Sequence, residues 1–230
     1  MREAGLAADQ VAVWDLPLRI FHWTLAGLVV FSFVTGKVAG PWLEWHMRSG
    51  YAILALVLFR LAWGVVGSQT ARFTAFVRGP RAGLEYLEAA LARRPLQVLG
   101  HNPLGGWMVV FMLALLLVQA ATGLFVDDEI ATQGPLAGTV SNALVARFTT
   151  LHRYNEWVIL GAVVLHLVVI AAYHWGLRVN LVGPMVHGHM AVRAPVEPPR
   201  TASTLLAGVL FALACAAVYW LVIIFPRAAA

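Results

Sequence analysis

A single cysteine, Cys215, is the whole thiol content of the 230-residue chain, and it lies inside an apolar run. That excludes an intramolecular disulfide, a metal site built from several thiolates and a Cys-x-x-Cys-His attachment motif. Charge is scarce as well: 12% of residues are Asp, Glu, Lys or Arg against 60% hydrophobic, and the mean hydropathy is +0.77. So little charge leaves no material for a sizeable soluble domain and predicts an all-α polytopic membrane protein. The sixteen Lys and Arg collect between apolar runs, where they report membrane topology; nucleic-acid binding is excluded as a function class.

What is present is a succession of runs long enough to cross a bilayer. A short arm, residues 1–14, precedes a first span from Leu18 to about Thr35, with Asp15 as N-cap and Pro17 in the first turn. Its polar lead, the aromatic pair flanking His22 and the nearby Pro41 argue for a retained helix rather than a cleaved signal. A short connection leads into 42–48, where Trp42 and Trp45 read as an interfacial belt, and the second span continues through Tyr51 and Arg60 to about Val66. Residues 67–103 are the longest hydrophilic stretch, with Arg72, Arg78, Arg81, Arg93 and Arg94, and 80–91 reads as an amphipathic surface helix.

A third span, Leu104 to about Val126, closes on Asp127-Asp128-Glu129, an acidic cluster that would steer a basic partner or simply end a helix in water. The fourth is expected from near Leu151 to about Trp175, followed by a polar, proline-rich segment, 177–202, and a fifth span from Thr204 to Phe225. In that last span Gly208, Ala212 and Ala216 recur every fourth residue, the spacing that lets helices approach closely in lipid. No internal repeat is evident. The expected organisation is an arm (1–14), a four-helix core (15–178), a linker (179–202) and a fifth helix (203–226) available to a partner or an oligomer.

Eleven Lys and Arg fall on the side of the arm, the 67–103 loop and the linker, and five (Lys37, Arg48, Arg147, Arg153, Arg227) on the other. The richer side is expected to be cytoplasmic, which puts the N-terminus inside and the C-terminus outside, in the periplasm.

The fourth span holds His152 and His166, fourteen residues apart. That spacing is a rise of roughly 21 Å and a rotation about 40° short of four turns, so both imidazoles face one way at different depths. Depth then sorts the remaining span histidines: His46 with His152 near the outer surface, His22 with His166 toward the inner one. Two bis-histidine b-type haems are what such an arrangement would hold, because without Cys-x-x-Cys-His any haem is non-covalent, and two imidazoles leave iron no open position. An ionisable residue as deep as His166 is functional by default, and helix bundles place cofactors between facing helices.

Arg60, fourteen residues after His46, lies at the depth of the inner site and either pairs with a haem propionate or snorkels to the surface. Arg48 and Arg153 beside the outer histidines, and Arg19 on the inner side, are further propionate candidates. His174 is the substitute ligand for His166. His101, in Gly-His-Asn-Pro before the third span, reads as a cap or loop residue, and His187 and His189 as solvated.

These residues also carry a resemblance. Trp14-Asp-Leu-Pro-Leu-Arg-Ile-Phe-His-Trp23, Phe59-Arg-Leu-Ala-Trp-Gly64, Phe76-Val-Arg-Gly-Pro80, Gly100-His-Asn-Pro-Leu-Gly105 and the two-histidine fourth helix resemble the bacterial cytochrome b561 and nickel-hydrogenase b-type cytochrome family over about residues 12–190. The resemblance implies a four-helix haem core in the plasma membrane, quinone-linked electron transfer, and His22, His46, His152 and His166 as axial ligands. Family members serve hydrogenases, periplasmic cytochromes and superoxide. The expected function is therefore electron transfer between a periplasmic redox partner, such as a cytochrome c, and the membrane quinone pool. The alternative is a self-contained superoxide:quinone oxidoreductase. A transporter or structural anchor would leave the matched histidines unexplained.

Overall fold

The computed structural model describes residues 9–92, 94, 98–128, 132–192 and 196–229; the first eight residues of the arm, Arg93, Glu129 and Pro195 lie outside them. In chain order the strands are β1 (Asp9–Ala12) and β2 (His189–Val192). The helices are α1 (Leu16–Val38), α2 (Leu43–Val66), α3 (Phe73–Phe76), α4 (Pro80–Leu91), α5 (Pro103–Gly123), α6 (Asn142–Ala171), α7 (Val182–His187), α8 (Thr204–Tyr219) and α9 (Phe225–Ala229). π-helical turns at Ala172–Gly176 and Trp220–Ile224 extend α6 and join α8 to α9. Five of these segments are long and apolar enough to span a membrane: Leu16–Val38, Gly40–Val66, Pro103–Gly123, Asn142–Gly176 and Thr204–Ala228.

Local chemistry sets the helix starts. Asp15 caps α1 by accepting from the Leu18 amide at 2.7 Å, with Pro17 in the first turn where a missing N–H costs nothing. Asn102 does the same for α5, accepting from Gly105 N at 2.7 Å ahead of Pro103. The fourth membrane helix differs from its expected start: α6 begins at Asn142, after the N-cap Ser141, rather than near Leu151. No glycine or proline interrupts 142–160, so the helix continues through the polar residues that made 127–148 read as a loop.

The packing order is α1 against α2, α2 against α5, and α5 against α6, with α8 lying along the outer side of α2. Helix α2 is thus the centre, and 56% of its apolar window is buried against 6% for the span built on α6. Helix α6 packs chiefly along α5 and meets the α1–α2 hairpin at His46–His152 and Lys37–Glu156; the space between α6 and that hairpin is here called the groove. On α8 the buried positions are Ala207, Ala214 and Val218, whereas Gly208, Ala212 and Ala216 are exposed. The small-residue row therefore faces away from this chain.

The segments expected as a free arm and a free linker are joined. Strand β1 pairs antiparallel with β2, Asp9 opposite Val192 and Ala12 opposite His189, and the Val13 and Trp14 amides both donate to the Gly188 carbonyl. The loop after α2 joins the same layer, through Gln69 N to Arg200 O at 2.9 Å and Ala202 N to Ser68 Oγ at 2.9 Å. All of it caps one end of the bundle, here called the N-terminal face.

Candidate functional site

At the face opposite the N-terminal one, α2 and α6 bring His46 and His152 together with ring centroids 6.1 Å apart and ring planes at 86°. Each ring is held from behind by the neighbouring helix. His46 Nδ1 donates to the Ser32 carbonyl of α1 at 2.8 Å, and His152 Nδ1 donates to the Gln119 carbonyl of α5 at 2.9 Å. A carbonyl only accepts, so both protons are fixed on Nδ1 and both Nε2 lone pairs are free. With about 2.0 Å from a metal to an imidazole nitrogen and ~1.2 Å more to the ring centre, two imidazoles on one metal have centroids about 6.4 Å apart. The observed 6.1 Å is close to that value, so the two rings are spaced to take one metal between them.

Two glycines make this approach possible. A Cβ on Gly36 would stand 2.8 Å from His46 Nδ1, and one on Gly123 would stand 3.0 Å from His152 Cε1. Each glycine follows a buried threonine whose hydroxyl donates back along its own helix, Thr35 to Phe31 O at 2.8 Å and Thr122 to Val118 O at 2.7 Å. Ser32-Phe-Val-Thr-Gly36 and Gln119-Ala-Ala-Thr-Gly123 are therefore the same device in two hairpins, α1–α2 and α5–α6. This local repeat was present in the sequence as two Thr-Gly helix ends, each followed by a histidine helix, and sequence reasoning missed it. Around the pair, Asn155 donates to Leu115 O at 2.9 Å and to Gln119 Oε1 at 2.8 Å, locking α6 to α5. Lys37 of α1 is paired with Glu156 of α6 across the groove.

Toward the N-terminal face the inward stripe of α6 continues at three- and four-residue steps through Asn155, Ile159, Ala162, His166 and Ile170. His166 lies in electrostatic range of His22 on α1. Beside them Arg60 is 1% exposed, so it does not snorkel to the surface. Its guanidinium lies 5.0 Å from the Phe73 ring centre and 5.9 Å from that of Phe76. Phe73 reaches that position because Gly64 leaves room; a Cβ there would meet the ring at 2.1 Å.

His101 departs from its expected role. The α5 cap is Asn102, and Gly100, at φ +87°, turns His101 inward between Trp14 (centroids 4.6 Å) and Phe76 (4.5 Å). Burial, then the positive field of Arg60, His22 and His166, holds its pKa down to about 3, so it is neutral at pH 7. That field places the three residues around it. Next to it Asn102 Nδ2 donates to Tyr173 Oη at 3.4 Å and Tyr173 Oη donates to Tyr86 Oη at 3.0 Å, tying the end of the fourth span to α4. Burial and that bond push the Tyr86 pKa up.

One contrast separates the two faces. Among the described residues, the buried side-chain nitrogens and oxygens without a hydrogen-bond partner are Arg19 Nε, His22 Nδ1, Arg60 Nη1 and Nη2, and His101 Nδ1. All lie toward the N-terminal face and all are nitrogens; none belongs to the His46–His152 pair.

The remaining candidates are placed as follows. Arg19 donates through Nη1 to the Val186 carbonyl of α7. Arg48 is exposed, paired with Glu44 at 2.5 Å and stacked on Trp45. Arg153 is exposed one residue past His152. His174 is exposed in the π-turn, with its ring against Trp175. His187 and His189 are exposed, as expected. Asp127 and Asp128 close a turn, with Gln133 Nε2 to Asp127 Oδ2 at 3.1 Å and Thr132 N to Asp128 Oδ1 at 2.8 Å.

The probable Ni/Fe-hydrogenase B-type cytochrome subunit of Rhizobium leguminosarum bv. viciae is 25% identical over 218 residues, covering 81% of this chain and 91% of the relative. Its namesakes in Azotobacter chroococcum mcd 1 and Rhodobacter capsulatus are 26% and 24% identical, covering 77% and 78% of this chain and 87% and 80% of the relatives. No solved structure gives a significant match. Residues 13–188, which include every span histidine discussed above, match the family described as prokaryotic cytochrome b561. The chain is a polytopic all-α membrane protein that belongs to the prokaryotic cytochrome b561 family of haem-binding electron-transport proteins.

Proposed function

We propose that the chain is the membrane subunit of an oxidoreductase, holding two b haems and passing electrons between a redox partner outside the membrane and the quinone pool. His46 and His152 hold one haem, and His22 and His166 hold the other. The observation that carries this reading is the His46–His152 pair, 6.1 Å apart with both Nδ1 protons engaged by backbone carbonyls. When bound, such haems supply one-electron redox chemistry without an open ligand position.

The chain's own residues do the rest. The backbone carbonyls of Ser32 and Gln119 orient the outer imidazoles and raise their basicity, as outer-shell acceptors do at metal-bound histidines. Arg60 supplies buried positive charge for a propionate of the inner haem, and Arg19, with Nε still unpartnered, lies on the same side. Arg153, and more weakly Arg48, offer positive charge at the aqueous rim of the outer site. We read the N-terminal face as cytoplasmic, because the side of the arm, the 67–103 loop and the 177–202 segment holds eleven of the sixteen Lys and Arg. The similarity to proteins named as hydrogenase cytochrome subunits favours a hydrogenase as the partner.

The test is stopped-flow reduction of the purified chain in lipid nanodiscs. Quinol should reduce it, and so should a Ni/Fe hydrogenase under hydrogen, while superoxide should act slowly. Fast superoxide-to-quinone turnover by the isolated chain would replace this reading with that of a self-contained oxidoreductase.

A further inference from the structure

Arg60 and His101 share an aromatic wall. Phe76 lies 5.9 Å from the Arg60 guanidinium and 4.5 Å, ring to ring, from His101. Among the described residues, both present buried nitrogens without a hydrogen-bond partner, Nη1 and Nη2 on one and Nδ1 on the other. The carboxylate in electrostatic range of Arg60 is Asp15, whose oxygens already accept from the Leu18 amide at 2.7 Å and from Trp63 Nε1 at 3.1 Å. Leaving buried donors unpaired costs about 1–3 kcal/mol each, more for a charged group. A site this rich in donors and poor in acceptors is complementary to an acceptor that also carries charge.

A carboxylate has that chemistry: two oxygens, about four acceptor positions and one negative charge to offset the guanidinium. A quinone carbonyl offers one neutral oxygen and leaves the Arg60 charge uncompensated. We propose that His101 is a positioning residue that, together with Arg60, receives one propionate carboxylate of the haem at the N-terminal face. This rests on the two-haem reading above. Trp14 and Phe76 fix the imidazole plane and Gly100 sets its entry angle, and the neutral ring still has one N–H to donate without adding a second cation. Phe76-Val-Arg-Gly-Pro80 and Gly100-His-Asn-Pro-Leu-Gly105, remote in the chain, thus each contribute a wall or a donor to one pocket.

The experiment is a potentiometric titration of the full-length, haem-loaded chain in nanodiscs, with wild type, His101→Phe and His101→Gln side by side. The haem lost in His166→Ala identifies the N-terminal-face component. In His101→Phe that component should become harder to reduce by up to about tenfold in its equilibrium constant, about 59 mV for one electron, while the other stays in place. Its carboxylate band in the infrared redox difference spectrum should shift too. His101→Gln, which keeps a donor, should recover at least half of both effects. Two haems with unmoved potentials overturn the proposal and leave the two-haem reading standing; so do equal shifts of both haems, or a Gln variant no better than Phe. Absence of the N-terminal-face haem from the wild-type chain overturns both.

Discussion

The two histidine pairs occupy one groove and are finished by different means. At the outer pair both Nδ1 atoms are closed by the helices themselves, with Ser32 O on His46 and Gln119 O on His152, and Asn155 locks α5 to α6. At the inner pair the helices leave His22 Nδ1, both Arg60 terminal nitrogens and His101 Nδ1 without partners. A site closed by backbone is pre-organised and holds its ligand geometry alone. A site left with buried donors is complete only when a negatively charged group fills it. The contrast predicts an outer site whose occupancy depends on shape and an inner one whose properties depend on charge.

The largest expected effect attacks shape. Gly36→Leu should empty the outer site, because even a Cβ would stand 2.8 Å from His46 Nδ1 and break its bond to Ser32. Gly123→Ala, with its nearest approach at 3.0 Å to Cε1, should weaken the same haem less, by about 10-fold, the lower end of what loss of outer-shell support costs. Haem content after detergent washing, read from the Soret band, measures both. Equal loss from both sites would dissolve the distinction drawn here.

The next effect comes from protons at the inner end. Because the folded pKa of His101 is held down to about 3, below its ordinary 6.5, the unfolded chain takes up a proton that the folded one refuses. The stability of the haem-free chain should therefore be fully present above about pH 6.5 and fall as pH drops toward the folded pKa, by at most about 1.4 kcal/mol per unit. Thermal melts at pH 7.5 and 5 should show the decline in wild type and a smaller one in His101→Phe.

The smallest effect belongs to the Lys37–Glu156 pair, which crosses the groove at the outer site but keeps 45% and 26% of its side-chain surface exposed. Lys37→Met should cost less than about 1 kcal/mol and leave both haems bound. A large loss of outer haem would mean that the pair, rather than the carbonyl bonds, sets the spacing of the outer site.

The fourteen-residue spacing on the fourth helix put His152 and His166 on one face from sequence, and in the structure both lie on the inward stripe of α6 with His152 beside His46. The first, second and fifth spans were likewise legible from hydropathy, as were the caps at Asp15 and the surface helix at 80–91. The start of α6 was not, because Thr149, Thr150 and Arg147 look like loop residues until Ser141 is seen to cap a helix that rises beyond the outer pair. His101 was hidden for another reason: its pocket joins Trp14, Arg60, Phe76 and its own turn, four segments whose meeting depends on tertiary packing. The β1–β2 pairing is of the same kind, as four-residue strands far apart in sequence leave no periodic signal.

The account stands on two separate bis-histidine sites, and the most direct measurement is the number of haems per chain in wild type, His152→Ala and His166→Ala. Pyridine haemochrome analysis should give two, one and one, with the two variants retaining spectrally different low-spin haems. A wild-type chain holding one haem, or two variants that retain the same one, would contradict it.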